Sequence, residues 1–193
     1  MIGIIFGPPG SGKGTQASRI ERGLHLEHLS TGELLRAEVA GGTPIGERVK
    51  QIMAAGDLVP DGLIVDMVRS RLPAAERGEG VLLDGFPRTV AQAEALDAML
   101  AEEGHGVGFV LALTVPEDVL VDRILHRAAQ EGRTDDTRQA VAERMREYHH
   151  RTEPVLERYR QQGVRVLEVD GLGTPDEVFQ RIQGALTRGK PGP

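Results

Sequence analysis

Short apolar runs alternate with segments of helical periodicity along the whole chain. The runs predict strands at residues 2–6, 27–29, 81–84, 109–115 and 164–169. Between them, apolar residues recur every three or four positions, which is the spacing of helices with one buried face. Strands that alternate with helices are typical of an α/β fold, so we expect a parallel five-stranded sheet flanked by helices.

Glycine and proline residues divide the helical segments from one another. Helices are predicted over residues 45–55, 61–72, 90–102 and 175–186. A single long helix is predicted to carry Val141, Thr152 and Tyr159 on one face, with a kink at Pro154, because proline cannot donate the backbone hydrogen bond of a regular helix.

Two segments stand apart from the predicted core. Residues 30–59 form a compact helical excursion with glycines at its joints, which fits either a small movable domain or an ordinary helical hairpin packed on the core. The polar segment 127–137 has the composition of a lid. The remaining residues, 1–29, 60–126 and 138–193, form the core.

The first predicted strand runs directly into a glycine-rich loop, GPPGSGKGT at residues 7–15, and then into a helix. In this context the loop N–H groups and the helix N-terminus point at an anion, and Lys13 adds a positive charge, as in the P-loop of nucleotide-binding proteins. The usual pattern has Ser or Thr directly after the lysine, whereas here Gly14 intervenes before Thr15. A glycine-rich turn without a ligand is the weaker alternative, because strand, loop, lysine and helix all agree.

Composition excludes several classes of protein. The net charge of −6 disfavours general binding to nucleic acid or to an anionic membrane, so an anionic ligand must meet local clusters of arginine. No cysteine is present, which excludes disulfides and thiolate metal sites. The chain has no apolar run of membrane-spanning length and no basic leader, so we expect a cytoplasmic protein.

A carboxylate and an arginine follow the predicted strand at residues 81–84. Asp84 ends this strand, and a carboxylate at the end of a strand beside a P-loop is the pattern that holds Mg²⁺ or its water ligands. Arg88 lies on the next loop, at the edge where open parallel sheets bind ligands. That position favours a phosphate contact for Arg88 over a surface salt bridge.

Further charged residues lie on the later helices. Arg123 and Arg127 are four residues apart, so their repulsion costs about a few tenths of a kcal/mol unless an anion lies between them or both are solvated. Arg144 lies at the edge of the apolar face of the long helix and is expected to point into a cleft. Asp135 and Asp136 are interpreted as a solvated turn or a helix cap rather than an acid–base pair.

These features favour phosphoryl transfer, which needs positioning, a metal ion and positive charge more than covalent chemistry. The surplus of arginine and the lack of an evident general base favour an acceptor that is itself a phosphate, because such a nucleophile is already anionic. The sequence of motifs then resembles adenylate kinase over essentially the whole chain. The motifs are GPPGSGKGTQ, LSTGELLR, GDLVP, LLDGFPRT, DRILHR, EGRTDD and DGLGTPDEV.

The resemblance implies a reaction and a domain plan. The family transfers the γ-phosphoryl group of Mg-ATP to AMP, reversibly, giving two ADP, and so serves adenine nucleotide homeostasis. Its fold is a P-loop NTPase-like sheet flanked by helices, with an AMP-binding domain that would match residues 30–59 and a short lid that would match residues 127–137. Long-lid members carry an extra small sheet and sometimes a cysteine zinc site. This lid is short and without cysteine, so we expect no zinc.

The resemblance also implies site residues, motif by motif. ATP would be bound by Gly10, Ser11, Gly12, Lys13, Gly14, Thr15, Arg123, Arg127 and Gly173. AMP would be bound by Thr31, Arg36, Asp57, Leu58, Val59, Gly85, Phe86, Pro87, Arg88, Gln92, Arg133 and Arg144. Catalysis would rest on Lys13, Arg88, Arg123, Arg133 and Arg144, and Asp84 would orient Mg²⁺ through water. Among these, Gln92 would contact the adenine edge of AMP, and Phe86–Pro87 would be a cis peptide bond.

Three rival functions have distinguishing features. A UMP/CMP kinase shares the fold and most motifs, but pyrimidine kinases typically carry Ala and Asn where this chain has Thr31 and Gln92. A GTPase would need an Asn-Lys-x-Asp guanine site, and this chain has no asparagine. A nucleotide-binding module without turnover would lack a catalytic group, and none of the expected groups is missing. We expect a monomer whose partners are ATP, AMP and ADP, not nucleic acid or a membrane.

Overall fold

The computed structural model describes residues 1–24, 26–75, 80–131, 135 and 137–188. Within these ranges the strands are β1 (Ile2–Phe6), β2 (Glu27–Ser30), β3 (Val81–Asp84), β4 (Val107–Thr114) and β5 (Val166–Asp170). The helices are α1 (Lys13–Leu24), α2 (Thr31–Ala40), α3 (Pro44–Ala55), α4 (Asp61–Ala75), α5 (Val90–Glu102), α6 (Glu117–Glu131), α7 (Arg138–Glu147), α8 (Glu153–Gln161) and α9 (Pro175–Thr187). None of the helices in the described ranges combines the length and the apolar character that crossing a membrane requires.

The five strands form one parallel sheet in the order β2-β3-β1-β4-β5. Parallel neighbours need a crossover connection, and the helices between the strands supply it. The chain moves from β1 out to β2, returns to β3 and then crosses to β4 on the other side of β1. A ligand crevice is expected where the strand order reverses, which is at the carboxyl end of β1. The predicted α/β fold with a parallel five-stranded sheet is confirmed.

The alternation of side chains along the central strands builds a core on each face of the sheet. Ile4 and Leu83 belong to the cluster that packs against α4, α5 and α8. Ile5 and Leu82 belong to the cluster that packs against α1 and α9. Both faces are therefore buried, which explains why β1, β3 and β4 consist of nearly continuous apolar runs.

The predicted long helix is present, but its middle contains a turn of different geometry that the sequence did not indicate. A π-helical turn, Tyr148–Thr152, separates α7 from α8. The backbone N–H of Glu153 bonds to the carbonyl of Tyr148, five residues back, and Pro154 has no N–H to continue a regular helical pattern at this point. Val141, Thr152 and Tyr159, which were predicted to share one face, are nevertheless all buried.

The strand limits also differ from the sequence-based expectation. β4 begins at Val107, two residues before the predicted start at Phe109. β5 begins at Val166 rather than at Val164, because the Val164 N–H bonds to the Tyr159 carbonyl and so belongs to the end of α8. The predicted helix at residues 61–72 extends to Ala75. None of these shifts changes the order of the elements.

Candidate active site

A cleft of about 750 Å³ lies along the carboxyl ends of the central strands. Every site residue predicted from the sequence that the structure describes lines this cleft. Arg133, which was predicted to act on the phosphates, lies outside the described residues. The sheet therefore brings together motifs that are far apart in the chain, as expected for the edge of a parallel sheet.

β1 delivers the glycine-rich loop to the floor of the cleft, and α1 begins directly after it at Lys13. The loop needs glycine at Gly10 and Gly12, because both have positive φ angles, 81° and 92°. At Gly10 a Cβ atom would also lie 2.8 Å from the Leu120 carbonyl oxygen, whereas at Gly12 it would meet no atom within 4 Å. Gly12 therefore leaves its backbone open to the cleft, and the loop together with the α1 N-terminus forms a cradle for an anion.

Lys13 folds its side chain back over this loop. Its Nζ donates hydrogen bonds to the carbonyl oxygens of Gly7, at 2.7 Å, and Pro8, at 3.1 Å. Burial lowers the pKa of Lys13 to about 8, although the nearby Asp84 carboxylate opposes this shift and the arginines of the cleft add to it. A phosphate beside Nζ would favour the charged ammonium and raise the pKa again.

Asp84 ends β3 beside the first turn of α1, where a Cβ atom on Gly14 would lie 3.7 Å from its Oδ2. The same oxygen lies 3.2 Å from Nε2 of His28, on the neighbouring strand β2. Burial alone would raise the pKa of Asp84, but the hydrogen bond with His28 and the charge of Lys13 outweigh burial and lower it. Burial also disfavours the imidazolium of His28, yet Asp84 raises the pKa of His28. Asp84 therefore stays ionised beside the cradle.

The residues of the cleft fit a magnesium ion that comes with phosphate groups, rather than one held by protein side chains alone. No group of three or more His, Asp or Glu side chains that could hold a metal exists among the described residues. Mg²⁺ keeps several waters and commonly takes one or two carboxylates plus substrate phosphates. Asp84, ionised and next to Lys13, is the carboxylate that suits this arrangement.

Guanidinium groups from separate elements face the same space. Arg88 follows β3 and donates from Nε to the Gly85 carbonyl at 2.9 Å. Burial lowers the pKa of Arg88, Asp84 opposes the shift, and the positive charges of Arg144 and Arg36 add to it. This concentration of positive charge is what a polyanionic ligand would neutralise.

Asp135 lies against one of these arginines, so the expectation that it is solvated is wrong. Its residue is only 8% exposed, and Oδ2 lies 2.5 Å from Nη2 of Arg144. Burial would raise the pKa of Asp135, but the hydrogen bond and the charge of Arg144 outweigh it and lower the pKa. Asp135 therefore holds the Arg144 side chain in the cleft, while its neighbour Asp136 lies outside the described residues.

The α6 side of the cleft combines arginines with the loop after β5. Arg123 donates from Nη2 to the Gly171 carbonyl at 3.1 Å, and Arg127 and Gly173 line the same region. Gln16, on α1, donates to the Pro175 carbonyl at 3.0 Å. Its Oε1 is buried without a hydrogen-bond partner among the described residues, so this wall retains one acceptor.

The opposite end of the cleft is formed by α2, the segment before α4 and the start of α5. Thr31 is buried, and its hydroxyl donates to the Gly85 carbonyl at 2.9 Å. The segment Asp57, Leu58 and Val59 lines this end, and so does Gln92, which is 2% exposed. This end therefore relies more on short, directed hydrogen bonds of buried side chains than the P-loop end does.

Several residues of the site were not found from the sequence. His28 was not recognised as the partner of Asp84, because the pairing requires β2 to lie next to β3. Thr152 was expected only as part of an apolar face, but its hydroxyl donates to the Arg88 carbonyl at 3.1 Å. Asp61, at the start of α4, accepts from Gln92 at 2.8 Å. The one available signal was the position of Asp61 directly after the GDLVP motif.

The chain is similar to known proteins over almost its whole length. A family model described as adenylate kinase matches residues 5–164. Proteins named adenylate kinase from Xylella fastidiosa and Thermus thermophilus are 51% and 55% identical to this chain over 183 residues, which is 95% of this chain and 97% and 95% of theirs. One from Xanthomonas campestris pv. campestris is 48% identical over 185 residues, 96% of this chain and 98% of that protein. Since these similarities span the P-loop, the parallel sheet and the cleft alike, the chain belongs to the adenylate kinase family.

Proposed function

We propose that this chain transfers the γ-phosphoryl group of ATP to AMP, reversibly, to give two ADP, and that it does so in the cleft described above. Family membership supports the reaction. The observation that carries the assignment of the site is the convergence of Lys13, Arg88 and Arg144 between the P-loop end and the Thr31 end of one cleft. Positive charge at the meeting point of two binding ends is what phosphoryl transfer between two nucleotides requires.

At the P-loop end, the loop N–H groups and the α1 N-terminus would hold the phosphates of ATP. Arg123 and Arg127 would bind the same nucleotide from α6, and the loop around Gly173 would lie against its base. Lys13 is supported as the residue that follows the transferred group, because its Nζ lies between the loop and Asp84 and regains its full charge when a phosphate approaches.

At the other end, Arg36 and Arg88 would hold the AMP phosphate, and Thr31 and Gln92 would face its base. The attacking oxygen belongs to that phosphate and is already anionic, so no general base is needed. Arg144 would stabilise charge on the moving phosphoryl group, with Asp135 orienting its guanidinium. Arg133 is proposed to act beside it from the lid.

Magnesium is proposed as the cofactor, bound together with ATP. When bound, Mg²⁺ neutralises charge on the phosphates of the nucleotide. Asp84 would hold its water ligands, and His28 would fix the Asp84 carboxylate by its hydrogen bond. We propose no zinc site, since the chain has no cysteine.

Residues 30–59 and 127–137 are proposed to move as an AMP-binding domain and a lid over a core formed by residues 1–29, 60–126 and 138–193. Water competes with AMP for the phosphoryl group, so the site should assemble fully only when both nucleotides are bound. We propose Gly56 as one joint, since its φ of 88° is a conformation that glycine adopts readily. A Cβ atom there would lie 2.5 Å from the Ala140 carbonyl oxygen, so glycine is required at this position.

We propose that the protein acts as a monomer in the cytoplasm, with ATP, AMP and ADP as its partners. Large exposed apolar side chains in the described residues are scattered, at Met1, Val90 and Leu172, and do not form a patch of the size that a stable interface needs. The acidic net charge disfavours nucleic acid and anionic membranes as partners.

The test is an ADP-formation assay with Mg-ATP and AMP, UMP, CMP or GMP as acceptor. We expect turnover with AMP alone, and a loss of about a hundredfold or more in Lys13→Ala, because one preorganised charge on the transferred group is removed. Lys50→Ala, which removes an exposed lysine of α3, is the matched control and should keep the wild-type rate. A preference for UMP or CMP would assign the chain to the pyrimidine kinases, and no turnover with any acceptor would support a binding module.

A further inference from the structure

Hydrogen bonds tie the side chain of Gln92 to two other elements. Its Oε1 accepts from the backbone N–H of Arg88 at 2.7 Å, and its Nε2 donates to Oδ1 of Asp61 at 2.8 Å. The other carboxylate oxygen of Asp61 accepts from the hydroxyl of Thr89 at 2.9 Å, and that hydroxyl accepts from the backbone N–H of Gln92 at 3.2 Å. Each of these four contacts therefore joins one donor to one acceptor.

The ring determines which way the Gln92 amide points. An amide can usually be turned by 180° without a change in shape, so its orientation depends on its partners. A carboxylate only accepts hydrogen bonds, and a backbone N–H only donates. Turning the amide would place its Nε2 against the Arg88 N–H and its Oε1 against the carboxylate, so both hydrogen bonds would become repulsive contacts.

One donor and one acceptor of the amide are left for a ligand. An amide offers two N–H groups and two acceptor positions on its oxygen, and the ring uses one of each. The 6-amino group of adenine donates and its N1 accepts, so adenine matches the acceptor at Oε1 and the donor at Nε2 in this orientation. A 6-oxopurine has an oxygen at position 6 and an N–H at position 1, so it would need the opposite orientation.

We propose that Asp61 is a specificity-determining positioning residue. It holds the Gln92 amide in the orientation that pairs with a 6-aminopurine and thereby excludes 6-oxopurine monophosphates from the acceptor end of the cleft. The inference rests on the proposed function, in which Gln92 faces the base of the acceptor nucleotide. Asp61 itself acts through Gln92 and Thr89 and does not need to touch the nucleotide.

The expected discrimination is large, because the wrong base leaves buried polar groups unpaired or opposed. A site built to hydrogen-bond one pattern of polar groups rejects an analogue that lacks the pattern by up to roughly 10⁴–10⁵-fold. Gln92 is 2% exposed and Thr89 6% exposed, so water cannot readily substitute for a lost partner.

The experiment compares AMP with IMP, which carries a 6-oxo group and an N1–H but is otherwise the same molecule. The quantity measured is the ratio of kcat/KM for IMP to kcat/KM for AMP, with Mg-ATP as donor. In Asp61→Asn the side chain can turn and donate to a reversed Gln92 amide, so we expect the ratio to rise about tenfold or more, which is the loss of one of the two constraints. Asp66→Asn makes the same change at an exposed position of α4 and should leave the ratio at the wild-type value.

The ratio separates this role from a purely structural one. Partial unfolding of a variant lowers both rates together and cancels in the ratio. A wild-type enzyme that converts AMP, with the same ratio in Asp61→Asn as in Asp66→Asn, would overturn the inference and leave the proposed function intact. A wild-type protein without AMP turnover would overturn the proposed function and the inference with it.

Discussion

The two ends of the cleft are built from different kinds of structure. The P-loop end uses backbone N–H groups and charges from one continuous motif, residues 7–15, supported by Lys13 and the α6 arginines. The other end uses buried side chains from separate elements, of which Thr31 and Gln92 are held by hydrogen bonds to other parts of the chain. Under the proposed assignment, local backbone geometry would hold the phosphates of ATP, whereas side chains positioned by long-range contacts would hold the base of AMP.

The largest effect is expected when one residue at each end is replaced by alanine. Arg123→Ala should raise the KM for ATP about 10–100-fold, as expected for one lost charge-assisted contact, and change the KM for AMP less than about threefold. Gln92→Ala should have the opposite pattern, because only the acceptor base loses its partner. Steady-state kinetics with one nucleotide varied and the other saturating measures both. Equal changes in the two KM values for either variant would show that the ends do not act separately.

A second test asks whether the loop glycines serve packing or binding. Gly10→Ala adds a Cβ against the Leu120 carbonyl at a positive φ, and should lower the free energy of unfolding by about 2–4 kcal/mol. Gly12→Ala has the strained φ but meets open space, so the free energy of unfolding should fall by only about 1 kcal/mol. Its loss of activity per folded molecule should be greater than that of Gly10→Ala. Urea unfolding and the ADP-formation assay measure the two effects. The reverse ranking in stability would contradict the packing role of Gly10.

The smallest expected effect is the uptake of protons by the P-loop end when ATP binds. The pKa of Lys13 is about 8 in the free protein, so at about pH 8.5 many molecules carry a neutral amine, and binding of ATP should take up part of a proton. Calorimetric titration in two buffers with different ionisation enthalpies measures this uptake. The same titration with AMP, which is proposed to bind at the other end, should show much less uptake.

Lys13→Arg is the matched control for proton uptake, because a guanidinium keeps its charge at this pH. Uptake that persists in Lys13→Arg would assign the proton to another group.

The lowered pKa of Lys13 also makes the free energy of unfolding depend on pH. Between about pH 8 and 10.5 the unfolded chain binds more protons at Lys13 than the folded protein does. The unfavourable contribution of Lys13 to the free energy of unfolding therefore diminishes as the pH rises.

The sequence predicted those parts of the site that depend on neighbours in the chain. The P-loop follows β1, Asp84 is the last residue of β3, and Arg88 lies four residues further on. Their position at one edge is a consequence of parallel pairing. His28 and Asp61 could not be assigned in this way, because their partners Asp84 and Gln92 are 56 and 31 residues away. Such contacts depend on the order of the strands and on the packing of helices.

The middle of the predicted long helix shows a second limit of sequence reasoning. A helical wheel assumes one constant angle per residue, and the π-helical turn at Tyr148–Thr152 breaks that assumption. Asp135 shows a third limit. Its polar surroundings in the sequence suggested solvent, but burial was decided by Arg144, which arrives from the following helix.

The parallel register of β2, β3 and β1 also sets the distances between the segments that follow these strands. Ser30 pairs with Asp84, and Asp84 pairs with Ile5, so the segments that follow these residues leave the sheet in one row. Neighbouring strands are about 4.8 Å apart, so Thr31 and the start of the P-loop begin about 10 Å from one another, with Asp84 halfway between them. The spacing between the two proposed nucleotide sites would therefore be set by the backbone hydrogen bonds of the sheet.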